Sequence, residues 1–404
     1  MKSEDIIGII ELGNINIKCI IINLENNKIE ILSTSTVASE GIYNDVIINL
    51  PKASKVVRSC ISKAEKIAKI SLKKINVVIE QTDFLCTKFS KHKKINGAKI
   101  NKEDIEFLLK EAKKQLILND NKQSIIHIFN YNYIVDGKKF IEEPINVYAD
   151  FFTHEITFVT VPKNNLKNII QVFIDCDLEI ERIISRTYAS GAKLLNREEL
   201  EFGSTIVDLG SEKTSFGIFK NSAIVHSVTF PIGINHITKD ISKVCSLSII
   251  ESEKIKNNID FSFKDNQEIF DENNYLKNLY FSDSNFRKIS QKLIFDVVKA
   301  RLNEIIELLI QQLKTSGFDN KLGMSFFLTG GGSNLINIEK YFIDFFGPNV
   351  KKNNNTDNLE KSFSSSLGAL KIIKEGWETE AIAETNNKKD EKVSFFAKIF
   401  SINR

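Results

Sequence analysis

Two short stretches place a carboxylate, a leucine and a glycine between apolar, β-branched runs. "IIGIIELGNINIKCIII" (residues 6–22) carries Glu11-Leu12-Gly13-Asn14-Ile15, and "TIVDLGSEKTSFGIF" (205–219) carries Asp208-Leu209-Gly210-Ser211. Glycine reaches backbone conformations closed to other residues and lets a ligand approach the main chain. Successive N–H groups in a tight turn form a concave nest for anions. A carboxylate just before the turn can hold Mg²⁺ through its water shell. Such chemistry suits a polyphosphate gripped by two turns, with Glu11 and Asp208 at the metal. Two plain hairpins explain the same pattern, since an acid before glycine is a common turn signal.

A third stretch adds weight to the first reading. "MSFFLTGGGSNLINIEKYFIDFFG" (324–347) reads as a buried strand, then Gly330-Gly331-Gly332, then a helix with Ser333 or Asn334 as N-cap. Its apolar positions are Leu335, Ile338, Phe342, Phe345 and Phe346. Glycines allow flat contact with a base or ribose, and a helix N-terminus favours a phosphate. "IIESEKIKNN" (249–258) places Glu253 and Lys256 on one helix face. They form a solvated ion pair or, beside the other motifs, a ribose contact.

The elements that must position these residues form an internal echo. Each acid-Leu-Gly turn joins two apolar strands, and each pair continues into a third: "KIEILSTST" (28–36) and "AIVHSVTF" (223–230). The two meanders lie about half the chain apart, as duplicated lobes would. A long amphipathic run at 286–318 carries a core stripe of Leu293, Ile294, Val297, Leu302, Ile305, Ile306, Leu309 and Leu313.

Composition narrows the class. At 404 residues the chain is too long for one compact core. A net charge of +3 offers no electrostatic case for nucleic acid. The basic cluster "KHKKINGAK" (91–99) reads as a solvated loop. Five cysteines without a CxxC pair suggest neither a disulfide framework nor a zinc site, and fit a reducing compartment. The five histidines lack ligand spacing. The N-terminus does not read as a signal peptide, and no apolar run spans a bilayer.

Acid-x-Gly turn, second acid-x-Gly turn and strand-Gly-Gly-Gly-helix, in that order, resemble the phosphate 1, phosphate 2 and adenosine motifs of the actin-like ATPases. Within that superfamily the chain resembles the FtsA family of bacterial cell-division proteins, over nearly its whole length. "VIEQTDF" (78–84) leads into an insert that resembles the family's extra subdomain, with His127, Tyr133, Val135, Asp136, Gly137 and Pro144 in its motif. "SRTYASGAKLL" (185–195) resembles the connection into the second half.

The resemblance implies an α/β, actin-like (ribonuclease H-like) two-lobed ATPase fold with an inserted α+β subdomain in the first lobe. The implied first core subdomain is 1–83 with 166–200 and 363–377, interrupted by the insert at 84–165. The second is 201–243 with 318–362, and a helical cap spans 244–317. It implies ATP and Mg²⁺ as ligands. ATP would contact Gly13, Asn14, Ile15, Gly210, Ser211, Glu253, Lys256, Gly330, Gly331, Gly332 and Ser333; Glu11 and Asp208 would reach Mg²⁺ through water. Ser211, Glu212 and Lys213 stand where the family has Gly-Gly-Thr. Asn14 replaces a hydroxyl residue, and Asn16 stands where a lysine is frequent. No residue is marked as a general base, so a binding scaffold is expected, at most a weak ATPase.

Residues 378–391 are polar and read as a flexible linker. In 392–404, Phe395, Phe396, Ile399 and Phe400 share an apolar surface with Lys398 on the polar arc, and no acid follows Glu391. That suits an interfacial helix facing anionic lipids; a helix docked on the protein's own core is the alternative. The family implies self-assembly into filaments, binding of the tubulin-like FtsZ, recruitment of later division proteins through the insert, and a place at the cytoplasmic face of the inner membrane. The competing classes are a pilus-assembly relative, a small-molecule kinase of the same superfold, and an Hsp70-like chaperone.

Overall fold

The computed structural model describes residues 6–25, 28–140, 142–261, 274–282, 288–318, 324–352 and 357–375. The linker 378–391 and the amphipathic segment 392–404 lie outside the described residues. The chain divides into two compact units. The first comprises the described residues within 1–203, 217–228 and 355–375, and the second those within 204–216 and 229–354.

The chain opens with three strands, β1 (Ile6–Glu11), β2 (Asn16–Glu25) and β3 (Lys28–Ala38). A ribbon of β4 (Ile42–Tyr43) and β5 (Val46–Ile47) follows, turning at Asn44 and Asp45, both left-handed. Next comes α1 (Leu50–Ala68), which Asn49 caps by accepting the Lys52 N–H. Pro51 sits in its first turn, where a missing N–H costs nothing. Ala53, Val57, Cys60, Ile61 and Ala64 form its buried stripe. β6 (Lys74–Ile79) and, much later, β11 (Glu179–Ser185) complete the sheet, in the order β11-β6-β1-β2-β3.

Between β6 and β11 lies a separate four-stranded sheet of β7 (Leu85–Lys99), β8 (Gln123–Val135), β9 (Lys138–Phe140) and β10 (Tyr148–Pro162), ordered β7-β10-β8-β9. α2 (Lys102–Asn119) covers one face, burying Ile105, Leu108, Leu109 and Ala112 against Phe89, Ile95, Tyr133, Phe152, Ile156 and Phe158. Residues 91–99 are therefore part of a strand, not the expected solvated loop. Residues 91–94, 98 and 99 pair with β10, the register shifting across 95–97, and Ile95 is buried. The lysines are accommodated at the surface: Lys93 pairs with Asp104, and Lys94 and Lys99 lie over the Phe151 and Tyr148 rings.

α3 (Lys163–Ile174) precedes β11; α4 (Arg186–Leu194) and α5 (Arg197–Phe202) follow it. The next sheet is built from β12 (Ser204–Leu209), β13 (Thr214–Lys220), β14 (Ala223–Phe230), β15 (Ser325–Thr329) and β16 (Val350–Lys352), ordered β14-β13-β12-β15-β16. Its order repeats that of β3-β2-β1-β6-β11: a meander of three, then two strands added in parallel. β1–β6 and β6–β11 are parallel, as are β12–β15 and β15–β16. The echo of the two acid-Leu-Gly turns is thus an echo of whole sheets.

The helices of the second unit are α6 (Ile234–Cys245), α7 (Ile249–Asn257), α8 (Gln291–Ser316) and α9 (Ile338–Phe346). α8 begins at Gln291 under the Ser290 cap, later than the expected start. Ile294, Leu302, Ile305, Ile306, Leu309 and Leu313 are buried as the stripe requires, but Leu293 is exposed and Phe295 and Val298 take up the packing. α10 (Asn358–Ser362) and α11 (Ser364–Glu375) return to the first unit. There α11 meets α4 so closely that a Cβ on Gly368 would lie 1.9 Å from the Ala189 carbonyl oxygen.

Candidate functional site

The two acid-Leu-Gly turns share one backbone shape. A Cβ on Gly13 would sit 2.7 Å from the Asn16 carbonyl oxygen, and one on Gly210 would sit 2.7 Å from that of Lys213. Each turn therefore folds the residue three positions on back over its glycine, which leaves no room for a side chain.

In the second unit, the Gly210 and Ser211 carbonyls accept the Ile234 and Asn235 N–H groups at 2.9 and 2.8 Å. These donors belong to the first turn of α6, which has no other intrahelical partners for them. In a planar trans peptide the N–H points opposite to its C=O. The Ser211 and Glu212 amides therefore point away from α6, as an anion nest requires. Gly233 makes this clamp possible, because its Cβ would collide with Ser211 O, Lys213 N and Gly210 O.

Glu212 is drawn to α6 as well. It accepts hydrogen bonds from Asn235 Nδ2 and from Lys239 Nζ, the latter at 2.9 Å. Partial burial opposes its charge, but these bonds and the Lys239 cation prevail and hold its carboxyl below the usual range. The negative charge that this departure from Gly-Gly-Thr introduces is thus neutralised locally.

The triple glycine is three different residues in function. Gly330 has φ +81, and its Cβ would lie 2.1 Å from Asp208 Oδ1. Gly332 is packed under Ile234 and Leu209, at 2.3 and 2.7 Å from a built Cβ. Gly331 between them is exposed, with nothing within 4 Å of its Cβ position. Gly330 and Gly332 let the loop close on Asp208-Leu209, and Gly331 is presented outward.

A helix does not start at Ser333 or Asn334, as the sequence suggested. Gly331–Asn334 form a single 3-10 turn, with Ser333 Oγ donating to the Gly330 carbonyl at 2.7 Å. Left-handed Asn337 then precedes α9. Asn337 Nδ2 donates to Asp260 and Phe261 N–H to Ile336 O, so hydrogen bonds to 260–261 hold the intervening segment out of helix. Leu335 is buried just before the helix, and Phe345 is exposed.

Glu253 and Lys256 do share a face of α7, paired at 2.7 Å. Lys256 is buried, and Glu253 also accepts from Thr238 Oγ1 of α6 at 2.6 Å. Desolvation opposes ionisation of Glu253, yet the bonds from Lys256 and Thr238 keep its carboxyl below the ordinary range.

The first unit holds the other turn. Gly13 stands at its apex and Ile15 is exposed. Asn14 faces the β4–β5 ribbon, with Oδ1 accepting the Asp45 N–H at 3.1 Å. Glu11 is flanked by two residues from distant segments, Arg186 and Ser365. Arg186 Nε lies 3.1 Å from Glu11 Oε1, and Ser365 Oγ donates to Oε2 at 2.6 Å. Arg186 Nη2 also donates to the Leu12 carbonyl at 2.9 Å and to Asp45 Oδ2 at 3.2 Å. Glu80, fully buried, accepts from Ser185 Oγ and the Thr187 N–H, placing a carboxylate at the positive end of α4.

Mg²⁺ keeps several waters and takes only one or two carboxylates beside the phosphates. Asp208 suits that demand, a carboxylate set at the glycine loop in the space a Cβ would fill. Glu11 does not suit it, because an arginine already occupies the approach to its carboxylate. Among the described residues no group of three or more His, Cys, Asp and Glu side chains is placed to hold a metal ion, and no helix is long and apolar enough to cross a membrane.

Two family models match this chain. One, described as "Cell division protein FtsA", matches residues 205–368; the other, "SHS2 domain inserted in FTSA", matches 84–160. The chain belongs to the FtsA family. Its relatives include the "Cell division protein FtsA" of Buchnera aphidicola subsp. Schizaphis graminum, 26% identical and covering 99% of this chain and 96% of the relative. Those of Agrobacterium fabrum and Bacillus subtilis are each 24% identical over 87% of this chain, covering 81% and 79% of the relatives. Among solved structures, a PilM–PilN type IV pilus biogenesis complex superposes with a TM-score of 0.62 at 12% identity, covering 91% of this chain and 98% of that one. MreB5 of Spiroplasma citri bound to ADP gives 0.52 at 15%, with the same coverage. At such identities the likeness is one of fold. This FtsA-family chain has the actin-like ATPase fold, with the SHS2 domain inserted in its first lobe.

Proposed function

We propose that the chain is an ATP-binding, actin-like division protein that polymerises and tethers FtsZ to the cytoplasmic face of the inner membrane. Gly331 would lie against the base or ribose, with Glu253 and Lys256 as the ribose-side pair. The Gly210–Ser211 turn would hold phosphate through its outward N–H groups, and Asp208 would reach Mg²⁺ through water. Gly13, Asn14 and Ile15 form the corresponding turn of the first unit. The role is that of a scaffold: no side chain is assigned as a base for hydrolysis. Residues 392–404 would bind anionic lipid through Phe395, Phe396, Ile399 and Phe400, with Lys398 at the headgroups. The SHS2 insert would recruit later division proteins.

The observation that carries the nucleotide reading is Gly331, open to solvent between two glycines that the fold itself requires. Replacing it with valine leaves the packing intact and obstructs a flat ligand. Affinity for a fluorescent ATP analogue should fall by about tenfold or more, equivalent to about 1.4 kcal/mol. Unchanged affinity would remove the assignment. For the tether, full-length protein and a chain ending at Trp377 are compared in co-sedimentation with anionic liposomes, with and without FtsZ. The full chain should pellet and carry FtsZ with it; equal pelleting of both chains would sink the membrane reading.

A further inference from the structure

The Glu11 turn carries a cation of its own. Arg186 is the first residue of α4, and its side chain is largely buried. It approaches Glu11 at 3.1 Å through Nε, and it reaches Asp45 at 3.2 Å and the Leu12 carbonyl at 2.9 Å through Nη2. Asp45 is wholly buried and also accepts the Glu80 N–H at 3.1 Å. Its left-handed conformation at the tip of the β4–β5 ribbon aims it at this point. Two carboxylates from separate loops thus converge on one guanidinium, and Ser365 closes the far side of Glu11. Glu80, whose N–H donates to Asp45, has its carboxylate engaged by Ser185 and Thr187.

This is the charge arrangement of a divalent-metal site with the metal's place taken. Two acids converge, as they would on a cation, and the cation is a side chain. A hydrated Mg²⁺ hydrogen-bonded to Glu11 would stand within a few ångströms of the guanidinium. At that range like charges repel by several kcal/mol at an effective dielectric of about 20. Unpairing Arg186 to admit the ion would leave a buried charge uncompensated, which costs about 3–5 kcal/mol. The arginine wins on both counts.

We propose that Arg186 replaces a divalent metal ion at the Glu11 turn. That turn then keeps a permanent side-chain cation between its two acids, and any metal that accompanies nucleotide is held without Glu11. The role of the turn rests on the nucleotide reading above; the replacement of metal by arginine does not.

The test uses the full chain. Mn²⁺ binding, read from its electron paramagnetic resonance signal, is measured for wild type, Glu11→Gln, Arg186→Gln and the double variant. Wild type and Glu11→Gln should give the same isotherm. Arg186→Gln should acquire a Mn²⁺ site that the double variant lacks. A wild-type site that weakens by about tenfold in Glu11→Gln overturns the proposal. A folded Arg186→Gln chain with no added site overturns it too. If Arg186→Gln does not fold, wild type against Glu11→Gln decides alone. In parallel, affinity for a fluorescent ATP analogue is measured in Mg²⁺ and in EDTA. The ratio of the two affinities should be the same, within about twofold, in wild type and Glu11→Gln; loss of Mg²⁺ dependence in the variant overturns the proposal. Absence of ATP binding under every condition sinks the nucleotide reading and leaves the Mn²⁺ comparison decisive.

Discussion

Ser365 Oγ donates a 2.6 Å hydrogen bond to Glu11 Oε2, joining residues 354 positions apart. Glu11 ends the first described strand, and Ser365 is the second residue of the last described helix. Their bond, with the Arg186 pair, pins α11 to the turn that the sequence marks as chemical. A hydrogen bond to a buried carboxylate is worth about 1.5–3 kcal/mol. Ser365→Ala should lower unfolding stability by that amount in urea titrations, while Ser365→Thr keeps the hydroxyl and loses less.

The same docking depends on Gly368. With its Cβ position 1.9 Å from the Ala189 carbonyl oxygen, any side chain pushes α11 away from α4. Gly368→Val should cost about 3 kcal/mol or more, above the common range for overpacking because the obstacle is backbone. Differential scanning calorimetry would register it as a lowered Tm. A Tm equal to wild type would show that α11 does not dock in this way.

Lys239 neutralises Glu212 beside the second turn. In Lys239→Ala the Glu212 carboxylate is left to repel phosphate from the neighbouring amides. Half of the Lys239 side chain is solvent-exposed, so the effect is modest. ATP affinity should fall by about two- to fivefold. Adding Glu212→Gln should restore it. Failure of that rescue would mean the lysine acts on the ligand directly.

Two buried histidines give the first unit a pH dependence. His127 Nε2 accepts the Ser185 N–H at 3.0 Å, so the ring is neutral and carries its proton on Nδ1. Burial, reinforced by the Arg182 charge, pushes its pKa down to about 3, and burial alone does the same for His154. In the unfolded chain both titrate near 6.5. The unfolded state therefore binds protons below that value while the native state does not. Stability is fully present above about pH 6.5 and declines as pH falls toward 3, by up to about 1.4 kcal/mol per unit for each histidine. Urea midpoints should drop between about pH 7 and pH 5.5. His127→Gln, which can still accept the Ser185 N–H, should roughly halve the slope. An unchanged slope would place the titration elsewhere.

Much of the fold was legible because its signals are local. Alternating apolar strands, acid-Leu-Gly turns and a strand ending in three glycines each lie within about fifteen residues, and the two three-strand meanders repeat visibly. Local signals also misled. A run of lysines at 91–99 looks like a loop until β10 pairs with it and aromatic rings lie under its side chains. Ser333 looks like a cap until hydrogen bonds between 336–337 and 260–261 delay the helix.

By itself, then, the sequence determined the backbone features of the site. Gly13 and Gly210 are needed for steric reasons that the residue three positions on settles, while Gly330 and Gly332 are needed where their loop closes on Asp208, Leu209 and Ile234. Only the tertiary structure decided the charges around them. Arg186 meets Glu11 and Asp45, and Lys239 meets Glu212, across separations with no sequence period to reveal them. Electrostatic energy depends on distance in space, and distance between remote loops is set by how sheets and helices pack, so no spacing rule could have shown that the Glu11 turn already holds its cation.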